Sequence, residues 1–139
     1  MIPVDEDKVI KAVEKASKYV VSVNTITLVS DFLFHSMPIS GLGSGIIYGS
    51  DGFIVTNNHV VLNTRKISIT LYDNKLYEGA VVGNDSLTDI AVVKIPKTGL
   101  TPAEFFDSEN LKVGQFVLAL GNPFGLAGGP TVTAGVISA

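Results

Sequence analysis

Apolar positions recur first at helical spacing and then, from about residue 19 onward, as short runs of β-branched residues separated by turn formers. Between Asp5 and about Lys18, Val9, Ala12, Val13 and Ala16 fall on one face of a helix, and Lys8, Lys11, Lys15 and Lys18 fall on the other. Asp5, Glu6 and Asp7 stand where the helix dipole favours anions, Lys15 and Lys18 where it favours cations, and Asp5 can cap the first turn. The four lysines read as a solvated face with no function assigned to them.

The period changes to strand alternation over Tyr19 to Thr27. From Leu28 to Gly43 the apolar residues Phe32, Leu33, Phe34, Met37 and Ile39 are interspersed with turn formers. That mixture predicts an irregular loop, either buried or exposed as an apolar surface for a partner subunit or neighbouring domain. The glycines of Gly41-Leu42-Gly43-Ser44-Gly45 precede a strand, so they do not form a phosphate loop, which would open a helix. They suit a close backbone approach or a tight bend instead.

Ile46 to Tyr48 and Phe53 to Thr56 flank Asp51-Gly52, a strong hairpin signal. Lys66 to Tyr72 and Leu76 to Val82 predict a second hairpin, and polar and apolar residues alternate from Lys66 to Leu71 as in a strand with one wet face. Ile90 to Ile95, Gln115 to Leu120 and Thr131 to Ile137 complete the strands. Short strands joined by tight turns predict an all-β fold, a closed six-stranded barrel with an N-terminal helix.

Composition narrows the functional classes. The 139 residues are 46% hydrophobic and 17% charged, which describes one globular domain, and 14 glycines with 6 prolines favour turns over a helical bundle. A net charge of −3, with four of the basic residues on the helix and the others dispersed, gives no basic stripe for nucleic acid. Without cysteine there is no disulfide framework, thiolate nucleophile or zinc-thiolate site. No apolar run reaches the roughly 20 residues of a membrane span, and no targeting segment is apparent, so the cytoplasm is the default compartment. No cofactor is expected. His35 has no acidic or histidine neighbour at ligand spacing, and no metal site is expected there or elsewhere.

The chemistry centres on two residues. The apolar strand Phe53-Ile54-Val55-Thr56 ends in Asn57-Asn58, and His59 follows directly, held by the backbone yet open to solvent, as a general base requires. Asp89 stands at the entrance of the strand Ile90 to Ile95. On spacing alone the two could equally be a turn histidine and a strand-capping aspartate.

The local motifs are more specific. Thr56-Asn57-Asn58-His59-Val60-Val61, Thr88-Asp89-Ile90-Ala91-Val92-Val93-Lys94, Val113-Gly114-Gln115 and Gly121-Asn122-Pro123-Phe124-Gly125 resemble, in order, those of the HtrA/Deg serine proteases. Gly43-Ser44-Gly45-Ile46-Ile47 and Thr131 to Ala139 resemble the same family's preceding and following strands, so the likeness covers about Val20 to Ala139.

The resemblance implies a chymotrypsin-like fold of two β-barrels, with His59 the general base and Asp89 its partner. It divides the chain into an N-terminal helix (1–19), a first barrel (20–128) and the first strand of a second barrel (129–139). The family's Gly-x-Ser-Gly-Gly stretch does not occur, and Ser138 lacks the glycines that would expose its Oγ. The expectation is therefore the N-terminal part of an HtrA-like endopeptidase for unfolded or misfolded polypeptides, inactive alone for want of the nucleophilic serine. A non-catalytic peptide-binding barrel, or a pseudoprotease with a chaperone-like role, is the alternative. The family further implies a homo-oligomer built from trimers and a location commonly outside the cytoplasm. Self-association is expected through the Leu28 to Gly43 segment or through the last strand, whose usual partners lie in the second barrel.

Overall fold

The computed structural model describes residues 4–125 and 129–139. Its elements are α1 (Glu6–Ser17), β1 (Val20–Ser30), β2 (Ser36–Ile47), β3 (Phe53–Asn57), α2 (Asn58–Val61), β4 (Lys66–Thr70), β5 (Leu76–Asp85), β6 (Ile90–Lys94), β7 (Phe116–Gly121) and β8 (Thr131–Val136). A 3₁₀ turn covers Ser108–Asn110. Six strands close into an antiparallel barrel in the order β1-β2-β3-β6-β5-β4, as the strand pattern predicted, and β7 pairs with β8 in a separate two-stranded sheet.

Alternation fills the barrel. Val21, Val23, Ile47, Ile54, Ile69, Val93 and Ile95 point inward and are essentially sealed from solvent. Burying such a side chain is worth about 1.5–3 kcal/mol, so this set dominates the stability of the fold. Gly45 and Gly79 leave room for it: a Cβ on Gly79 would stand 2.5 Å from Val93 Cγ1, and one on Gly45 2.9 Å from Ile54 Cγ2. The Asp51-Gly52 turn forms as expected, with Gly52 at φ +101°, a conformation that resists side chains.

The helix matches its sequence signals. The Asp5 carboxylate accepts from the Lys8 N–H at 3.4 Å, and the Ser17 hydroxyl donates to the Val13 carbonyl at 2.6 Å. Lys15 reaches Glu104 at 2.9 Å, but both side chains are exposed and such a pair adds little stability.

Leu28 to Gly43 is not an irregular loop. β1 runs through Ser30 and β2 starts at Ser36, the two paired residue for residue from Val20↔Ile46 to Ser30↔Ser36. β4 pairs with β1 only from Ser22 to Ile26, so the outer part of the hairpin has no third strand beside β1. Its apolar residues are exposed, Phe32 and Phe34 to 96% and 91%. The Asp31 carboxylate builds the tip, accepting from the N–H groups of Leu33 and His35 at 2.8 and 2.7 Å. β8, expected to lack partners, is paired along one edge with β7 from Phe116↔Val136 to Gly121↔Thr131. The division expected between residues 128 and 129 falls at a segment outside the described residues, and the β7–β8 sheet spans it.

Candidate active site

Strand pairing brings the two predicted residues together. β3 runs antiparallel to β6 with Asn57 opposite Ile90, so the end of β3 meets the start of β6 at one rim of the barrel. His59 is the second residue of α2, which continues β3, and Asp89 immediately precedes β6. Thirty residues apart in sequence, His59 Nδ1 and Asp89 Oδ2 lie 2.6 Å apart.

Three further contacts hold Asp89. Its Oδ1 accepts from the backbone N–H of His59 at 2.8 Å, and its carbonyl accepts from the Asn58 N–H at 3.0 Å and the Asn57 side-chain amide at 3.1 Å. Its backbone is left-handed, φ +58°, a conformation that aspartate tolerates better than most residues. The His59 backbone N–H, then the bond to the His59 ring, hold the Asp89 carboxyl below the usual aspartate range, against a smaller opposing effect of desolvation. Asp89 is therefore an anion at neutral pH.

The side chains of His59 and Asp89 are 71% and 43% exposed. With Nδ1–H donated to the carboxylate, the other ring nitrogen, Nε2, carries the lone pair and faces no partner among the described residues. A neutral imidazole fixed in this tautomer can take a proton from a hydroxyl or a water, and the neighbouring carboxylate stabilises the imidazolium that results.

Sequence reasoning placed His59 and Asp89 but not their surroundings. Asn57 and Asn58 do more than end a strand, since both bond to Asp89. The Ser44 hydroxyl accepts from the Asn122 N–H at 2.8 Å, and the Ser44 carbonyl accepts from the Thr56 hydroxyl at 2.7 Å, tying the Gly121 to Gly125 turn to the barrel just before His59. No local pattern marks Ser44 for this role, which depends on a partner 78 residues away. His35 sits at the tip of the β1–β2 hairpin, where the turn brings its Nδ1 to 3.3 Å from Asp31 Oδ2, a neighbour that sequence spacing did not suggest. Ser138 is exposed just past β8. Among the described residues no three His, Asp or Glu side chains gather as a metal site requires.

A closed six-stranded antiparallel barrel with an N-terminal helix and a separate two-stranded sheet is a chymotrypsin-like arrangement. The comparisons agree. The trypsin-like peptidase domain family matches residues 43–139. A probable periplasmic serine endoprotease, DegP-like, from Chlamydia pneumoniae is 52% identical over 97 residues, 70% of this chain and 20% of the relative. The periplasmic pH-dependent serine endoprotease DegQ of Escherichia coli is 44% identical over 106 residues, 75% of this chain and 23% of DegQ. A solved structure of the HtrA-type protease AlgW, in a serine-to-alanine variant with a decapeptide, superimposes with a TM-score of 0.86 at 32% identity, covering 94% of this chain and 44% of AlgW. The chain belongs to the trypsin-like peptidase domain family, among the serine proteases of HtrA/DegP type, and spans about a fifth of the length of the curated relatives it matches. Among the described residues no helix is long and apolar enough to cross a membrane.

Proposed function

We propose that this chain supplies the general base and its orienting carboxylate to a serine endopeptidase that cleaves unfolded or misfolded polypeptides. The observation that carries the reading is the 2.6 Å contact between His59 Nδ1 and Asp89 Oδ2 at an open barrel rim. In this reading Nε2 of His59 removes the proton of a serine hydroxyl as it attacks the peptide carbonyl, then returns it to the leaving amine. Asp89 holds the imidazole in the required tautomer and offsets its charge. In this reading β1 to β6 form the first barrel of the peptidase domain, and the β7–β8 sheet leads into the second.

The nucleophile belongs to a part of the parent protein not among these 139 residues, in which no Gly-x-Ser-Gly-Gly occurs. The chain alone is accordingly inactive toward peptides, since it has neither the serine nor the donors that would stabilise an oxyanion. A periplasmic setting is favoured by the names of the relatives, and an assembly of several copies by the family resemblance alone.

Casein turnover by the parent protein tests the reading. Asp89→Asn is expected to lower kcat by a factor on the order of 10⁴, the loss typical of a triad aspartate. His59→Ala should abolish turnover while peptide binding persists. Turnover that survives His59→Ala would remove His59 from the role of base, and peptide binding without any turnover by the unaltered parent would point instead to a barrel that binds peptides without catalysing their cleavage.

A further inference from the structure

The helix that carries His59 has little to hold it by itself. α2 is a single turn, Asn58–Val61, and the side chain of its N-cap residue, Asn57, makes no capping bond to it. One helical turn in isolation is unstable, so its orientation is set by outside contacts. One of these is the side chain of Asn58, which is only 4% exposed. Its Oδ1 accepts a hydrogen bond from Asn84 Nδ2 at 3.0 Å.

Asn84 reaches this position because of an irregularity in β5. Val81 stands opposite Val93, but Gly83 is opposite Val92, so the β5–β6 register slips by one residue at this point. Such a bulge exchanges the two faces of a strand. Asn84 then stands opposite the buried Ala91, where unbroken pairing would have put Gly83, and, though itself exposed, it reaches the buried Asn58 side chain. The strand ends one residue later at Asp85, whose carboxylate accepts from the Leu87 N–H at 3.1 Å and the Thr88 hydroxyl at 2.8 Å, shaping the turn that delivers Asp89.

The Asn58–Asn84 bond therefore joins the residue before His59 to the segment that leads to Asp89. We propose that Asn84 is a positioning residue, which through its bond to Asn58 clamps α2 against the Asp89 turn and so fixes the geometry of His59 with Asp89. Its importance for catalysis rests on the reading of His59 as base and Asp89 as its orienter, but the geometric effect is measurable on this chain without any turnover. Losing a part-buried amide–amide bond of this kind changes a local opening equilibrium by about fivefold.

The test is nuclear magnetic resonance on the 139-residue chain with Asn84→Ala, Asn84→Asp and, as a control on the same turn, Ser86→Ala. Asn84→Asp keeps the size of the side chain and replaces the donor by a carboxylate oxygen, at the cost of an added negative charge, while Asn84→Ala removes the donor without adding charge. Two quantities are read: the His59 ring tautomer from its ¹⁵N shifts at about pH 8.5, where free imidazole is neutral, and the exchange rate of the His59 amide relative to the core amides of Ile54 and Val93. General destabilisation would move the core amides equally. In the unaltered chain the Nδ1–H tautomer should predominate. Both Asn84 variants are expected to populate the Nε2–H tautomer and to speed His59 exchange about fivefold relative to the core, while Ser86→Ala changes neither. Unaltered tautomer and relative exchange in both Asn84 variants, or the same change in Ser86→Ala, would overturn the positioning role. An unaltered chain without Nδ1–H predominance would overturn the base-and-orienter reading itself and, with it, the role of Asn84.

Discussion

A methyl group placed on Gly43 would stand 2.7 Å from Cγ1 and 2.9 Å from Cγ2 of Val60, the residue after His59. β2 thus passes directly against α2, and the lack of a side chain at 43 sets how closely the histidine-bearing turn can approach the barrel. Gly43→Ala is expected to cost about 1–3 kcal/mol by overpacking and to disturb the His59–Asp89 contact. Adding Val60→Ala removes the colliding methyls, so the double variant should regain much of the loss. Urea unfolding of the two single variants and the double variant measures the coupling, and strict additivity would contradict a direct contact.

The barrel core should respond as a packed interior. Ile54 is fully buried and fills the space left by Gly45. Ile54→Ala is expected to cost about 2–5 kcal/mol in urea unfolding, with the far-ultraviolet spectrum of the folded state retained.

Acid should weaken the fold through the turn that carries Asp89. The Thr88 hydroxyl and the Leu87 N–H hold the Asp85 carboxyl below its usual range, as the His59 contacts do for Asp89. A carboxylate whose folded pKa is depressed adds stability above its unfolded value, about 3.9, and that stability is lost as pH falls through the lower folded value. The stability gap between the unaltered chain and Asp85→Asn should therefore be open at about pH 6 and close as the pH falls toward about 2. Urea unfolding across this range reads it, and a gap that widens in acid would contradict the assignment.

The β1–β2 hairpin tip should be dispensable for the barrel and important for association. Phe32 and Phe34 are almost fully exposed, and Phe34 has a left-handed backbone, φ +63°. Phe32→Ser with Phe34→Gly is expected to leave the thermal midpoint unchanged or slightly raised, since glycine relieves that backbone. Concentration-dependent light scattering should fall in the same variant. Equal scattering before and after would move the association to another surface, β8 being the next to test.

Where one face of a strand is buried, the sequence revealed the fold. Lys66 to Leu71 alternates because Ile67, Ile69 and Leu71 fill the barrel, and Asp51-Gly52 announced its turn because few residues other than glycine suit φ +101°. The outer β1–β2 hairpin was illegible for the opposite reason. With both faces wet and Pro38 and Gly41 inside β2, no alternation marks it, and its register comes from the Asp31 turn. His59 and Asp89 were legible because each stands at a strand end within a specific local motif. The contacts of Asn58 and Ser44 were not, because a bulge at Gly83 and a turn at Asn122, both remote in sequence, supply their partners.

The most direct test of His59 and Asp89 as base and orienter is fluorophosphonate labelling of the parent protein that carries the complete peptidase domain, alongside this chain alone. Labelling of the parent, lost with His59→Ala and strongly slowed with Asp89→Asn, with none on the 139-residue chain, is the expected result. A parent that labels equally with and without His59, or does not label at all, would contradict the catalytic assignment.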